Sequence, residues 1–479
     1  MGLHMKTRKP RTVLAAVAGG LVLAATTLSG SDAAPLPDAR SAYPGADWPS
    51  FGHDPANTRH ASELVLGPTN VGGVREQWNA PGAAVTSTPA VADGVVYNSD
   101  FAGNLAARNA KSGAQVWQTK LLPAQLPGSP TVSGNTVYTA GYGGNVFAVD
   151  RATGAKKWGT DIEAAPNDLI WSSPVVAGDT LIIGSASFQV FSPADPPFQG
   201  SVVGLDAKTG AVKWRTPVCT GKCDGVSVWS TAAVDTELGL AYIGTGQSYT
   251  DTTAPMSDSL VALDYRTGKI AWYHQYTAGD VFGAEHPEGK DADLGAAPNL
   301  FTVGGKRLVG CGDKGGTYKV FDARTGKLVW SKELVKGTTL GGIEHTTAYA
   351  DGTIYAVGNT EMTATSRADA RPTAAKLFAV NAADGRIKWQ QDLPDGGFGG
   401  VAVANGVLYF TTWDGILRAH SAATGRTLLA KYIGTPDGAT VIEKGAAGGP
   451  TISGGRIYVG YGWTWGATAP GGLRSFGLY

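Results

Sequence analysis

The sequence predicts an all-β protein: an eight-bladed β-propeller of four-stranded blades, closed into a ring by an N-terminal strand. Two repeated phrases and the composition predict it. The first phrase, Asp-x-x-Thr-Gly-x-x-x-Trp or a close variant, occurs seven times, with its glycine at 113, 154, 210, 268, 326, 385 and 425. A large apolar residue follows each glycine by four positions: Trp117, Trp158, Trp214, Trp272, Trp330, Trp389 and Leu429. Strand-rich units at such a period are propeller blades rather than separate domains. The second phrase precedes each hairpin and consists of Ser-Pro or a relative, a hydrophobic pair, a glycine turn and another apolar run. Sixty-eight glycines and 26 prolines among 479 residues fit many short strands and tight turns.

Each element can be justified in turn. The runs Val202–Leu205 and Leu260–Leu263 lead into the first phrase, and Leu328–Trp330 leads out of one, so each copy reads as a hairpin. The Asp or Asn bonds to backbone two residues on, and the Gly supplies positive φ. Each Trp offers a flat apolar face and an N–H that needs an acceptor, which suits it to locking one blade onto the next. The second phrase appears as Thr88-Pro89-Ala90-Val91, Ser129-Pro130-Thr131-Val132, Ser173-Pro174-Val175-Val176 and Gly449-Pro450-Thr451-Ile452. Two strands from each phrase make a four-stranded unit. The last unit, near 449–478, is short of strands, and Trp48–Gly52 is the expected partner that closes the ring and removes its open edges.

Residues 1–34 read as a secretory signal peptide and 35–479 as a single propeller domain. Lys6, Arg8, Lys9 and Arg11 precede the apolar run 13–28, and Ala33-Ala34 offers small residues for cleavage. Removing this leader takes four Lys/Arg and one Asp from the balanced 39 and 39, leaving a net charge of −3. Such a chain has no bulk attraction for nucleic acid or anionic lipid. The expected protein is secreted, without a membrane span, and monomeric. Export gives the cysteines meaning: Cys219 and Cys223, in Cys-Thr-Gly-Lys-Cys, are expected to form a small loop disulfide, and Cys311 to be a buried thiol. No Cys-x-x-Cys-His occurs, so no covalently attached haem is expected.

The repeated phrase resembles the tryptophan-docking motif of quinoprotein alcohol dehydrogenases, and the polyvinyl alcohol dehydrogenase-like subgroup most of all. The segments that carry the resemblance include Trp171-Ser-Ser-Pro, Gly225-Val-Ser-Val-Trp229-Ser, Gly244-Thr-Gly246, Ser257-Asp-Ser-Leu, Leu294-Gly-Ala-Ala-Pro298, Gly312-Asp-Lys314-Gly and Gly341-Gly-Ile-Glu344. The resemblance implies pyrroloquinoline quinone (PQQ) and, in most of that family, calcium on the ring axis. It implies that Trp229 stacks on the quinone and that Lys314 is an electrophilic partner of its carbonyl oxygens. Trp171 and Gln247 complete the expected cofactor-binding set; Lys314 and Glu344, with Asp280 as a substitute base from the same loop, make the expected catalytic set.

Other positions depart from that family. Where it holds calcium with Glu and Asn, this sequence has Gln189 and Gln247, and where it carries the base aspartate it has Gly283. Calcium requires several oxygens with carboxylates among them, and two amides supply none. Asp280, Glu285, His286, Glu288 and Glu344-His345 are acids and bases that could substitute, while His274 and His420 read as structural. Three functions follow from the sequence. The chain is a PQQ-dependent oxidoreductase acting on a small or polymeric alcohol and an external electron acceptor, or a propeller turned to a non-redox reaction on an exported small molecule, or a non-catalytic binding scaffold.

Overall fold

The computed structural model describes residues 47–162, 168–194, 196–337, 341–363, 371–434, 445, 448–462 and 470–479. The leader assigned to 1–34 lies outside them. Eight sheets follow one another as blades of a propeller, each with four antiparallel strands, and the blade 7 sheet adds His60–Ala61 in parallel against its inner strand. Blades 1 to 7 span 90–120, 131–161, 175–217, 233–275, 299–333, 348–393 and 402–432. Each is a meander of a short buried inner strand, two longer strands and a half-exposed outer strand. Blade 8 takes Thr451–Ser453, Arg456–Tyr461 and Pro470–Gly477 from the C-terminus, and its outer strand, Arg75–Ala83, from the N-terminus. Among the described residues the only helical turns are Val71–Gly73 and Phe188–Val190, both 3₁₀.

The tryptophans dock between blades. Trp117, Trp158, Trp272, Trp330 and Trp389 each donate Nε1 to a carbonyl of the next blade's turn: Arg151, Ala207, Ala323, Ala382 and Ala422, at 2.9–3.2 Å. The ring of each lies against the glycine of that same turn, so closely that a Cβ on Gly154 or Gly326 would stand 2.6 Å from it. This contact, together with positive φ, makes the glycine obligatory. Trp78, on the outer strand of blade 8, does the same to blade 1 through Ala110 and Gly113.

The closing strand is therefore Arg75–Ala83 and not Trp48–Gly52. That segment instead enters the centre of the ring. Trp48 pairs with Val91 of blade 1. The carbonyls of Pro49, Pro55, Ala56, Thr58 and Arg59 then accept from Val132, Val234, Leu300, Tyr349 and Val403, each the second residue of an inner strand, in blades 2, 4, 5, 6 and 7. An inner strand has one unpaired edge, and buried N–H groups there need acceptors. Residues 48–61 supply them along the axis.

A meander also fixes where a site can be. The first–second and third–outer turns of every blade share one end of the ring. The second–third loops and the crossings to the next blade share the other. The docking turns occupy the first end. Trp229, Lys314 and Glu344 all lie on loops of the second.

Candidate functional site

Three loops bring the central groups together. Trp229 comes from the crossing into blade 4, Lys314 from the second–third loop of blade 5, and Glu344 from the crossing into blade 6. Lys314 Nζ stands 5.4 Å from the centroid of the Trp229 ring, within cation–π range. The same Nζ donates to Asp291 Oδ1 and to Asp293 Oδ2, both at 2.8 Å, and lies 3.8 Å from Glu344 Oε1. Lys314, both aspartates and Glu344 are buried, whereas Trp229 keeps a partly open face. Gly295 allows this packing, since a Cβ there would overlap the far edge of the indole.

The electrostatics follow from burial. Desolvation opposes the charge on Lys314, but the three carboxylates around it outweigh that, and its ammonium is held well above the ordinary lysine range. Burial pushes Asp291 up to about 6 against the pull of Lys314, and Glu344 up to about 8. Glu344 Oε2 has no hydrogen-bond partner. Behind them, burial pushes Asp313 to about 7 and holds Asp258 well above its ordinary value, with Asp293 and Asp280 adding repulsion to Asp258. The site is a cluster of buried acids facing one ammonium.

The backbone is strained where these groups are aimed. Nine described non-glycine residues have left-handed φ: Asp93, Asp351 and Asn405 in blade turns, His53, Asn57 and Arg59 on the axis, and Val226, Asp258 and Asp291 around the site. A β-branched residue such as Val226 strongly resists that conformation. It is held there by Val226 N donating to Gln247 O at 2.8 Å, with Val228 N donating to Ser185 O beyond it, and this segment carries Trp229. Strain maintained by surrounding bonds is characteristic of functional loops.

Other sequence-derived candidates separate from this centre. Asp280 is buried, and its two oxygens accept from Lys290 N and Ala292 N at 2.9 and 2.8 Å, so it braces a loop. Trp171 is 38% exposed and packs edge-on against Phe188 at the rim, with Tyr142 beyond. His286 and Glu288 form an exposed pair. His345 is buried, with Nδ1 against Gly399 O. His420 bonds to Gly425 O, and His274 packs on Phe321. Cys219 and Cys223 are disulfide-bonded, and Cys311 is a buried free thiol. Asp291 and Asp293 belong to no phrase of the resemblance. The signal was the Asp-x-Asp immediately before Leu294-Gly295.

The two implied cofactors fare differently. The partly exposed indole of Trp229, with the Lys314 ammonium 5.4 Å from its ring, suits the flat face and carbonyl oxygens of PQQ. The positions read as calcium ligands do not fit that ion. Gln189 Oε1 accepts from Phe198 N at 3.0 Å and its Nε2 donates to Pro196 O, fastening its own loop. The Gln247 amide, in the orientation that satisfies both partners, turns its nitrogen to Asp293 Oδ2 at 3.2 Å. Among the described residues, no three His, Cys, Asp or Glu side chains are arranged to hold a metal.

Comparison with known proteins bears on the family. Residues 166–336 match the profile described as the glucose/ethanol/alcohol dehydrogenase β-propeller domain. Residues 69–241 and 314–463 match the one described as outer membrane protein assembly factor BamB. A polyvinylalcohol dehydrogenase of Sphingopyxis is 32% identical over 57% of this chain and 49% of its own, so the chain spans about half that relative's length. One from Pseudomonas is 28% identical over 86% of this chain and 72% of its own. Among solved structures, the quinohemoprotein alcohol dehydrogenase of Comamonas testosteroni superposes with a TM-score of 0.72 at 21% identity, covering 92% of this chain and 81% of that one. That likeness shows the shared fold.

Proposed function

Because the chain belongs to the PQQ-type, alcohol dehydrogenase-like β-propeller family, we propose that it is a secreted quinoprotein oxidising an alcohol group at the Trp229–Lys314 site. The observation that carries this reading is Lys314, held by two buried aspartates beside the open indole of Trp229. PQQ, when bound, supplies the hydride acceptor. Trp229 would give it a rigid apolar floor. Lys314 would stabilise the negative charge that develops on its oxygens. Asp291, pushed up to about 6, is suited to taking the hydroxyl proton at neutral pH. Glu344, pushed up to about 8, holds its own proton there and leaves Asp291 the ionised partner. Asp280, with both oxygens occupied by backbone N–H groups, acts through the loop instead of on substrate. The substrate is a small or polymeric alcohol, as the relatives' names suggest, and electrons leave through an external acceptor.

Titrating the protein with PQQ, with and without calcium, and following quinone absorbance and dye reduction by alcohols tests this. Micromolar binding with alcohol-dependent dye reduction supports it. Binding without reduction of dye by any alcohol removes the dehydrogenase reading. No binding removes the quinoprotein reading and leaves the non-redox and scaffold readings, the latter supported by the broader of the two profile matches.

A further inference from the structure

The loop between blades 4 and 5 leaves its strand at Gln275 and returns at Asn299. Within it, residues 281–290 make an excursion. Val281 bridges to Ser248, Phe282 N donates to Ser248 O and Ala284 N to Val190 O. The excursion ends on a residue in an unfavourable conformation: Asp291, at φ +55°. Asparagine, aspartate and glycine tolerate that region best, and a single such residue still needs support. The support is visible. Asp280, just before the excursion, is 3% exposed and accepts from the N–H groups that flank Asp291, Lys290 N through Oδ1 at 2.9 Å and Ala292 N through Oδ2 at 2.8 Å. One carboxylate thus grips the backbone on both sides of the strained residue. The side chain of that residue meets Lys314 Nζ at 2.8 Å.

We propose that Asp280 is a positioning residue, a brace that locks Asp291 in its left-handed conformation so that its carboxylate is presented to Lys314. An uncharged side chain at 280 cannot do this equally well. An amide of the same shape offers one acceptor and one donor, and the donor would face a backbone N–H. The relaxed loop would withdraw Asp291 from the ammonium, leaving Lys314 with Asp293 and Glu344. The functional meaning rests on the quinoprotein reading above, in which Asp291 takes the substrate's proton. The geometry of the brace does not.

The test therefore uses the full-length protein without cofactor. Competitive chemical labelling of the Lys314 amine across pH, read by mass spectrometry, reports how strongly its neighbours hold the proton. Lys314 is faced by Asp291, Asp293 and Glu344 and by the ring of Trp229. Asp280→Asn is expected to speed labelling at pH 9 about tenfold, Asp291→Asn as much, and the double substitution no more than Asp291→Asn alone. Labelling of Asp280→Asn within twofold of the parent, or effects that multiply in the double variant, would overturn the proposal. Should Asp280→Asn not fold, Asp291→Gly decides. Glycine takes the left-handed conformation freely, so the Asp280→Asn/Asp291→Gly pair is expected to recover folding, and a pair that stays unfolded overturns the brace. A failure here is separate from a failure to bind PQQ.

Discussion

At the scale of the residue, Trp229 and Lys314 were legible because each sits in a short phrase, Val-Ser-Val-Trp-Ser and Gly-Asp-Lys-Gly, that survives as a string. Asp291 and Asp293 were not. Matching along Thr277–Gly283 ends on a glycine, and the excursion that follows displaces the carboxylates in sequence while the fold returns them to Lys314. Proximity produced by a loop leaves no more of a local pattern than the bare Asp-x-Asp. Truncating the stacking surface in Trp229→Ala should weaken PQQ binding about tenfold, or roughly 1.4 kcal/mol, in the absorbance titration. Unchanged affinity would remove Trp229 from the cofactor site. Glu344 gives a pH prediction with a definite sign. Burial raises its carboxyl in the folded protein from the ordinary 4.5 to about 8. The folded state therefore holds the proton more tightly than the unfolded state, and this contribution to stability is present below about 4.5 and lost as pH rises towards 8. Glu344→Gln, neutral at every pH, should raise the melting temperature at pH 8.5 by roughly 2 °C or more and leave it unchanged at pH 4.5.

At the scale of the element, the docking hairpin was almost fully legible. The spacing from glycine to tryptophan is one turn plus half a strand, and both partners of each interface are spelled in it. The missed member is Trp78, which docks on blade 1 but belongs to a strand with no hairpin before it. Its blade is assembled from both ends of the described chain, so the phrase is split. Trp214 is another irregular copy: its ring lies on Gly268 like the rest, but its Nε1 finds no acceptor. At a regular interface, Gly326→Ala would press a Cβ into Trp272 at φ +69°. It should cost more than about 1 kcal/mol. Trp272→Ala, which also leaves Ala323 O without its donor, should cost about 3–5 kcal/mol. Denaturant melts of the two variants check both values, and Trp214→Ala, with no indole hydrogen bond to lose, should cost less than Trp272→Ala.

At the scale of the whole molecule, eight blades could be counted from the sequence, but what fills their centre could not. Residues 48–61 have no periodicity, and the bonds that tie them to the inner strands reach far along the chain. Arg59 shows how much rests on them. It is fully buried, and its guanidinium donates to Val401 O at 2.7 Å and to Phe51, Gly400 and Pro450 carbonyls, between the rings of Trp48 and Phe51. Burial lowers it to about 9, which leaves it charged at neutral pH. Arg59→Ala would strip donors from four buried carbonyls and should cost about 3 kcal/mol or more by calorimetry.

The axial segment also sets a schedule. A ribosome makes residues 48–61 before any blade exists, yet their acceptors meet donors that emerge as late as Val403, and Arg75–Ala83 waits for Pro470–Gly477. The axial segment therefore makes the last of these contacts only after blade 7 has been made. Until then every partial product carries an unfilled hub and an open seam, and the blades already made have nothing to converge on.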